Sequence, residues 1–361
     1  MDSHSWTNRT GIFGINTETL RMDAQKKLYF RSHVRSRWIN LFKNPNPNPQ
    51  RILVHRADEI GDMVLTLPAL RTLIQRFPNS EVVVWAKAPA LSLLEGEPGI
   101  YQRISEGLQP EGHFDLMVDF RESEKSLAFA QKSRIRYRLN RGSIRMKNRK
   151  TGHPHEIETN FQVIAPLLND SKLNSAPLVI PPRKQDQADL YLQRLAIEKF
   201  GIIHLGAGKL LKRWSLDGFR SLAELMHRKY GWDVVFVGAE GDRKHVEKIQ
   251  SQLNFTTFSF IGEGDLLAYA GLCLRCEVMV GNDSGPMHIA SNLEIPCVAL
   301  FGPSEREVFG PISTKTVVIH HQLECNPCDE VHCITPEFPC IARITLAEIE
   351  AAMDDLMAKK T

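Results

Sequence analysis

The sequence predicts an α/β protein made of two doubly wound, parallel-sheet domains. Three observations predict it. Short apolar runs such as Ile52-Leu-Val54, Val82-Val-Val-Trp85 and Val234-Val-Phe-Val237 alternate with stretches of helical length, the pattern of strand–helix–strand units. Several of these runs end in loops rich in Gly and acids, and such sheets bind ligands beyond the carboxyl ends of their strands. The chain has 361 residues, enough for two domains of ordinary size.

Composition narrows the class. Hydrophobic residues make up 42% and charged residues 24%, as in a soluble globular protein. A net charge of +3 gives no argument for nucleic acid. No apolar run approaches the roughly 20 residues that span a bilayer. The first residues lack the basic start and apolar core of a secretory signal. A cytoplasmic location is expected, with contact to the inner membrane surface as a candidate addition.

In chain order, residues 1–21 are polar and aperiodic, and Met22 is an alternative start. Over 22–43, Phe30, Val34, Trp38, Leu41 and Phe42 fall on one helical face, with Lys27, Arg31, Arg35 and Lys43 around them. Residues 1–50 carry eight Lys/Arg against three Asp/Glu. Such a basic amphipathic helix suits an anionic leaflet or packing on its own domain, and both readings stand. Asn44-Pro-Asn-Pro-Asn-Pro49 forms a stiff linker, so residues 1–50 are read as an extension.

The first domain is expected over 51–182. Strands are expected at Arg51–His55, Glu81–Ala86 and Asp115–Asp119, with a helix from about Asp62 to Phe77. Asp62 stands at a helix start, where an ionised carboxylate is favoured and can accept a proton. Capping is its bland role, and Asp58 and Glu59 are rivals. Residues 131–150 hold nine Lys/Arg and no acid. Read as a strand, Lys132, Arg134, Arg136 and Arg138 share one face. That face is either a solvated edge or a landing site for an anionic acceptor.

Pro181–Gln187 reads as the interdomain linker, and the second domain is expected over 183–361. A strand at Ile202–Leu205 ends in Gly206-Ala-Gly208, followed by Lys212-Arg-Trp214. Two glycines after a strand with a lysine four residues on fit a phosphate cradle, though Gly-rich loops are common and this one is not a Walker A loop. The strand Asp233–Gly238 ends near Glu240, a candidate for ribose hydroxyls with Asp242 as rival. A strand at Glu277–Val280 leads into Gly281-Asn-Asp283-Ser284-Gly285-Pro286-Met-His288. Pro286 fits the first turn of a helix, whose free N–H groups suit a diphosphate. Asp283 and His288 lie at the same mouth. Cys273, Cys276 and Cys297 read as core. Cys325, Cys328, Cys333 and Cys340 cluster closely enough to be a candidate structural metal site, with free thiols or a facultative disulfide as the other readings.

These residues carry a resemblance. Asp283-Ser-Gly-Pro-Met-His288 resembles the Asp-Thr-Gly-Pro-Met-His signature of the ADP-heptose:lipopolysaccharide heptosyltransferases, glycosyltransferase family 9. Gly61-Asp-Met-Val-Leu-Thr-Leu-Pro-Ala-Leu70 is similar to that family's N-terminal segment, and Gly206-Ala-Gly208 with Lys212-Arg-Trp214 to its Gly-Ala-x…Lys-x-Trp segment. The resemblance covers roughly residues 51–345. It implies a GT-B architecture, two Rossmann-like domains facing a cleft, and inverting transfer of heptose from ADP-L-glycero-D-manno-heptose to a sugar hydroxyl of an anionic glycolipid. It also implies Asp62 as base, Lys212 at the donor's diphosphate and an acid near Glu240 at the ribose. No Asp-x-Asp occurs in the chain, so no metal cofactor is expected to bridge the diphosphate. Alternatives are a transferase of the same fold with another nucleotide sugar or a protein acceptor, a non-catalytic nucleotide-sugar-binding protein, and an epimerase, for which no acid/base set is apparent.

Overall fold

The structure, a computed structural model, describes residues 48–359 except 136, 143, 145–147, 149–151, 153, 169–171 and 329. The helix expected at 22–43, the Met22 start, most of the Asn-Pro linker and Arg136 lie outside the described residues.

The first half holds β1 (Arg51–Arg56), α1 (Ile60–Arg76), β2 (Glu81–Ala86), α2 (Ala88–Ser92), β3 (Ile100–Ser105), β4 (Leu116–Asp119), α3 (Glu124–Lys132), β5 (Tyr137–Asn140) and α4 (Glu156–Ile164). Its sheet runs β3-β2-β1-β4-β5. The second half holds α5 (Pro182–Arg194), β6 (Phe200–His204), α6 (Leu216–Tyr230), β7 (Asp233–Val237), α7 (Arg243–Gln250), β8 (Phe258–Ser259), α8 (Leu266–Cys273), β9 (Val278–Asn282), α9 (Gly285–Asn292), β10 (Cys297–Phe301), α10 (Arg306–Phe309), β11 (Thr316–His320) and α11 (Leu346–Ala358). Its sheet runs β11-β10-β9-β6-β7-β8. Every strand pairing in both sheets is parallel. This is the expected GT-B arrangement of two Rossmann-like domains.

Strand order reverses between β1 and β4 in one sheet and between β6 and β9 in the other. Those reversals open the crevices in which doubly wound sheets bind ligands. The central strands are apolar along their length because helices cover both faces; Ile52, Leu53 and Val54 are almost wholly buried. One apolar cluster includes Leu67 and Leu70 of α1 with Met287, Ile289 and Ala290 of α9. The core therefore runs through the junction of the two halves. Cys273, Cys276 and Cys297 are buried in it, as expected.

Three local expectations are corrected. The polar run after Pro181 is the first half of α5, not a linker, because Pro182 takes the first helical position. Strand β9 continues through Gly281 to Asn282, whose side-chain Nδ2 donates to Leu205 O at 2.9 Å and whose Oδ1 accepts from Trp214 N at 3.0 Å. Residues 132–139 are not one strand. Lys132 closes α3, Arg134 takes a left-handed turn with φ +50°, and β5 begins only at Tyr137. Arg138 points inward, where its guanidinium meets the Asp119 carboxylate at 2.8 Å. Lys132, Arg134 and Arg138 thus share no common face. The charge of buried Asp119 explains why a cation at 138 turns in.

Candidate active site

The first site loop follows β1. Arg56 is buried and is the hub of this region. Its guanidinium donates to Phe120 O at 2.6 Å, Asp62 Oδ1 at 2.9 Å and Glu156 Oε1 at 3.0 Å. Its Nε lies 3.3 Å from Asp58 Oδ2, an ion contact without hydrogen-bond alignment. Burial works against the Arg56 charge, but Asp62, Asp58 and Glu156 outweigh it and raise its pKa. Glu156 is fully buried and also meets Arg141.

Asp62 is the third residue of α1. Its Oδ2 accepts from Glu59 N at 3.3 Å in a capping box, so its capping role is real. Its side chain is nevertheless 27% exposed, and its charge reaches His288 of the other half. The rivals are otherwise engaged. Asp58 is held between Arg56 and Arg121, and Glu59 points outward to Lys87.

Behind this loop, His55 and Asp119 sit in register on β1 and β4, with Nδ1 and Oδ1 2.8 Å apart. Burial opposes ionisation of Asp119. The His55 hydrogen bond, followed by Arg138 and Ser126, still holds it well below the ordinary carboxylate range. This pair joins the two central strands beneath the site.

In the second half the expected donor residues converge on the loops after β6 and β9. Lys212 ends a short 3₁₀ turn, with Nζ 2.9 Å from Asp283 Oδ2 and 3.2 Å from Glu330 Oε1. Burial disfavours its charge, but Asp283 and then Glu330 raise its pKa. Asp283 also accepts from Ser304 Oγ at 2.5 Å. Asp283 is therefore a holder of Lys212. The Ser284 hydroxyl turns back to Asn282 O at 3.0 Å, and no side chain caps α9. The first N–H groups of that helix are thus left for something other than a cap.

His288 is buried, and its Nε2 lies 3.8 Å from Asp283 Oδ1. Burial lowers its pKa, with the Asp283 and Asp62 charges pulling the other way. It therefore feels the carboxylates of both halves. A Cβ built on Gly61 would stand 2.7 Å from its ring.

The remaining expected residues divide. Gly206 lets the Asp242 carboxylate approach, since a Cβ there would stand 2.6 Å from Oδ2, whereas Gly208 faces open space. Asp242 is buried and accepts from Ala239 N at 3.1 Å, which fits a structural role. Glu240 is exposed at the end of β7 and forms a two-pronged pair with Arg243 at 2.5 and 2.8 Å. Arg138 is tied to Asp119 and is withdrawn from the acceptor set; Arg134 remains exposed.

Cys325, Cys328, Cys333 and Cys340 line one small pocket with His332. Among the described residues, however, no group of three or more His, Cys, Asp or Glu is placed to hold a metal ion, and the cysteines are free. The candidate metal site does not fit this arrangement.

Arg56, Glu156, Ser304 and Glu330 had no expected role. Arg56 and Ser304 had a usable signal, because each follows an apolar strand run at the binding edge of its sheet. Glu156 and Glu330 come from distant stretches and had none.

Known proteins resemble this chain in sequence and in fold. The family model described as glycosyltransferase family 9 (heptosyltransferase) matches residues 111–338. Lipopolysaccharide heptosyltransferase 2 of Escherichia coli K12 is 26% identical over 311 residues, covering 74% of this chain and 87% of that protein. A family 9 glycosyl transferase from Veillonella parvula superposes with a TM-score of 0.74 at 20% identity, covering 86% of this chain and 98% of that one. The ADP-heptose lps heptosyltransferase II of E. coli superposes with a TM-score of 0.69 at 24% identity, covering 86% and 99%. The family match spans well over half the sequence and the fold is shared, so the chain belongs to glycosyltransferase family 9, the heptosyltransferases.

Proposed function

We propose that this enzyme moves heptose from ADP-L-glycero-D-manno-heptose to a sugar hydroxyl of a lipopolysaccharide-core-type acceptor, with inversion and without a metal cofactor. One observation carries the reading. The Asp62 carboxylate and the Lys212–Asp283 pair belong to opposite halves, yet both lie at strand-order reversals beside the α1–α9 contact. Asp62 takes the proton of the acceptor hydroxyl as its oxygen attacks the anomeric carbon. The bond from that carbon to the diphosphate breaks on the opposite face. Lys212 and the N–H groups at the start of α9 take up the charge on the departing ADP. Arg56 orients Asp62; Asp283 and Ser304 orient Lys212. Glu240 is offered to the ribose, and Arg134 to an anionic acceptor.

Relatives named for lipopolysaccharide or lipooligosaccharide heptose transfer support the donor and acceptor classes. The basic segment at 22–43 supports contact with the cytoplasmic face of the inner membrane. Among the described residues no helix is long and apolar enough to cross a membrane. Deleting residues 1–49 should reduce flotation with anionic liposomes; unchanged flotation would remove that part of the reading.

The reaction is tested by incubating the full chain with ADP-heptose and a core glycolipid in EDTA, then reading the product's anomeric configuration by NMR. Inversion at undiminished rate is expected. Retention, or activity only with added divalent ions, would overturn the mechanism. Turnover of a different nucleotide sugar in place of ADP-heptose would overturn the donor.

A further inference from the structure

Two glycines, one from each half, meet where α1 and α9 touch. A Cβ built on Gly285 would stand 2.6 Å from Ile60 Cβ, 2.7 Å from Ile60 Cγ2 and 3.5 Å from Gly61 N. A Cβ built on Gly61 would stand 2.7 Å from His288 Cδ2 and 3.3 Å from Nε2. The contact is reciprocal: each half supplies one glycine and one side chain that fills the other's gap. Ordinary carbon contacts lie at about 3.5–4 Å, so either added Cβ requires a displacement of about 1 Å. The Ile60 side cannot relieve it by a rotamer change, because Cβ is fixed to the backbone. Beyond the glycines, other contacts also cross between the halves. Asn292 Oδ1 accepts from Leu178 N at 2.7 Å, and His155 Nε2 lies 2.7 Å from Gly310 O.

We propose that the Ile60–Gly285 and His288–Gly61 interlock is the joint that sets the distance between the base and the leaving-group machinery, with Gly61 and Gly285 as positioning residues. The glycine at 285 then serves the approach of Ile60 from the other half, not only that of a diphosphate. Asp62 follows Gly61 directly, and Ser284 with Asp283 directly precedes Gly285. Any slip of α1 against α9 is therefore passed undiminished to both sides of the reaction. A misplacement of about 1 Å costs on the order of 10²-fold in rate. The activity readout rests on the proposed heptose transfer; the exchange readout does not.

The test is Gly285→Ala in the full chain. Turnover should fall by about 10²-fold while ADP affinity by calorimetry changes by no more than about threefold. Amide hydrogen exchange over residues 60–66, in the other half, should quicken. Adding Ile60→Gly moves the spare volume to the other side of the contact and should restore turnover to within about tenfold of Ile60→Gly alone. Unchanged turnover in Gly285→Ala, or unchanged exchange at 60–66, would overturn the joint. Lost ADP binding that Ile60→Gly fails to restore would assign Gly285 to the diphosphate alone. If Gly285→Ala does not fold, Gly61→Ala, which presses on the His288 ring, replaces it, with the same loss of turnover expected and the quickened exchange then read in the other half over residues 286–292; unchanged exchange there would overturn the joint. If the parent chain transfers no heptose, the proposed reaction falls, and exchange at 60–66 alone decides the joint.

Discussion

Replacing Lys212 by Ala removes the cation that Asp283 and Glu330 share, at 2.9 and 3.2 Å. Two losses can be separated. In the reaction, removing one main charge-stabilising contact to a leaving group costs about 10²–10³-fold in turnover, roughly 3–4 kcal/mol. In the fold, Asp283 is left as a carboxylate with a side chain 6% exposed and the Ser304 hydroxyl as its close donor. Breaking a fully buried pair costs about 3–5 kcal/mol. Lys212 is itself 20% exposed, so a cost of about 1–3 kcal/mol is expected once solvent screening is counted. Single-turnover kinetics at saturating ADP-heptose read the first loss, and urea denaturation reads the second. A folded Lys212→Ala enzyme that turns over within about threefold of the parent would refute the assignment of Lys212 to the diphosphate. A loss confined to KM would show that the lysine binds ground and transition states alike.

Two further outcomes follow from the same site. The Glu330 carboxylate bridges Lys209 at 3.0 Å and Lys212 at 3.2 Å, engaging the cations a diphosphate would need. Glu330→Gln should therefore tighten ADP binding severalfold by calorimetry, with the gain shrinking at high salt; weaker binding would mean that Glu330 orients the lysines instead. Burial lowers the pKa of both His204 and His288. The unfolded chain therefore takes up their protons first as pH falls below about 6.5. Their contribution to stability is full above that pH and is lost as pH falls toward the folded values, by up to about 1.4 kcal/mol per pH unit for each. Urea midpoints at pH 7.5 and 5.5 should differ less in a His204→Gln/His288→Gln variant than in the parent; an equal difference would mean that the imidazoles are not held neutral.

The parts of the fold that were legible in the sequence are those written locally. Strand β2 is an apolar run bounded by Ser80 and Lys87, and its expected limits, Glu81–Ala86, are those observed. Helix α8 begins where Asp265 accepts from Leu267 N and Ala268 N, and α11 begins at the Thr345–Glu348 capping box, both visible as residue types. Asp283, Ser284 and His288 could be placed together because one strand–loop–helix unit carries them. What the sequence hid depends on distant partners. Arg138 looked like a surface cation until Asp119 was seen across the β4–β5 ladder. Pro181–Gln187 looked like a linker, although the first turn of a helix accepts Pro182. Gly285 looked like an opening for a ligand, whereas its nearest neighbour is Ile60, more than two hundred residues earlier in the chain.

The central claim is that Asp62 is the base in a transfer whose donor is held by the other half. The most direct test is Asp62→Asn, assayed for heptose transfer and for ADP binding on the same preparation. Asn keeps the size of the side chain, and its one amide oxygen can still accept from Arg56 in place of Oδ1, at the cost of the weaker bond from Glu59 N, but it cannot take the acceptor's proton. Turnover should fall by about 10²–10⁴-fold, the range of a lost general base, while ADP affinity stays within about twofold. Transfer that survives the substitution, or ADP affinity that collapses with it, would contradict the account.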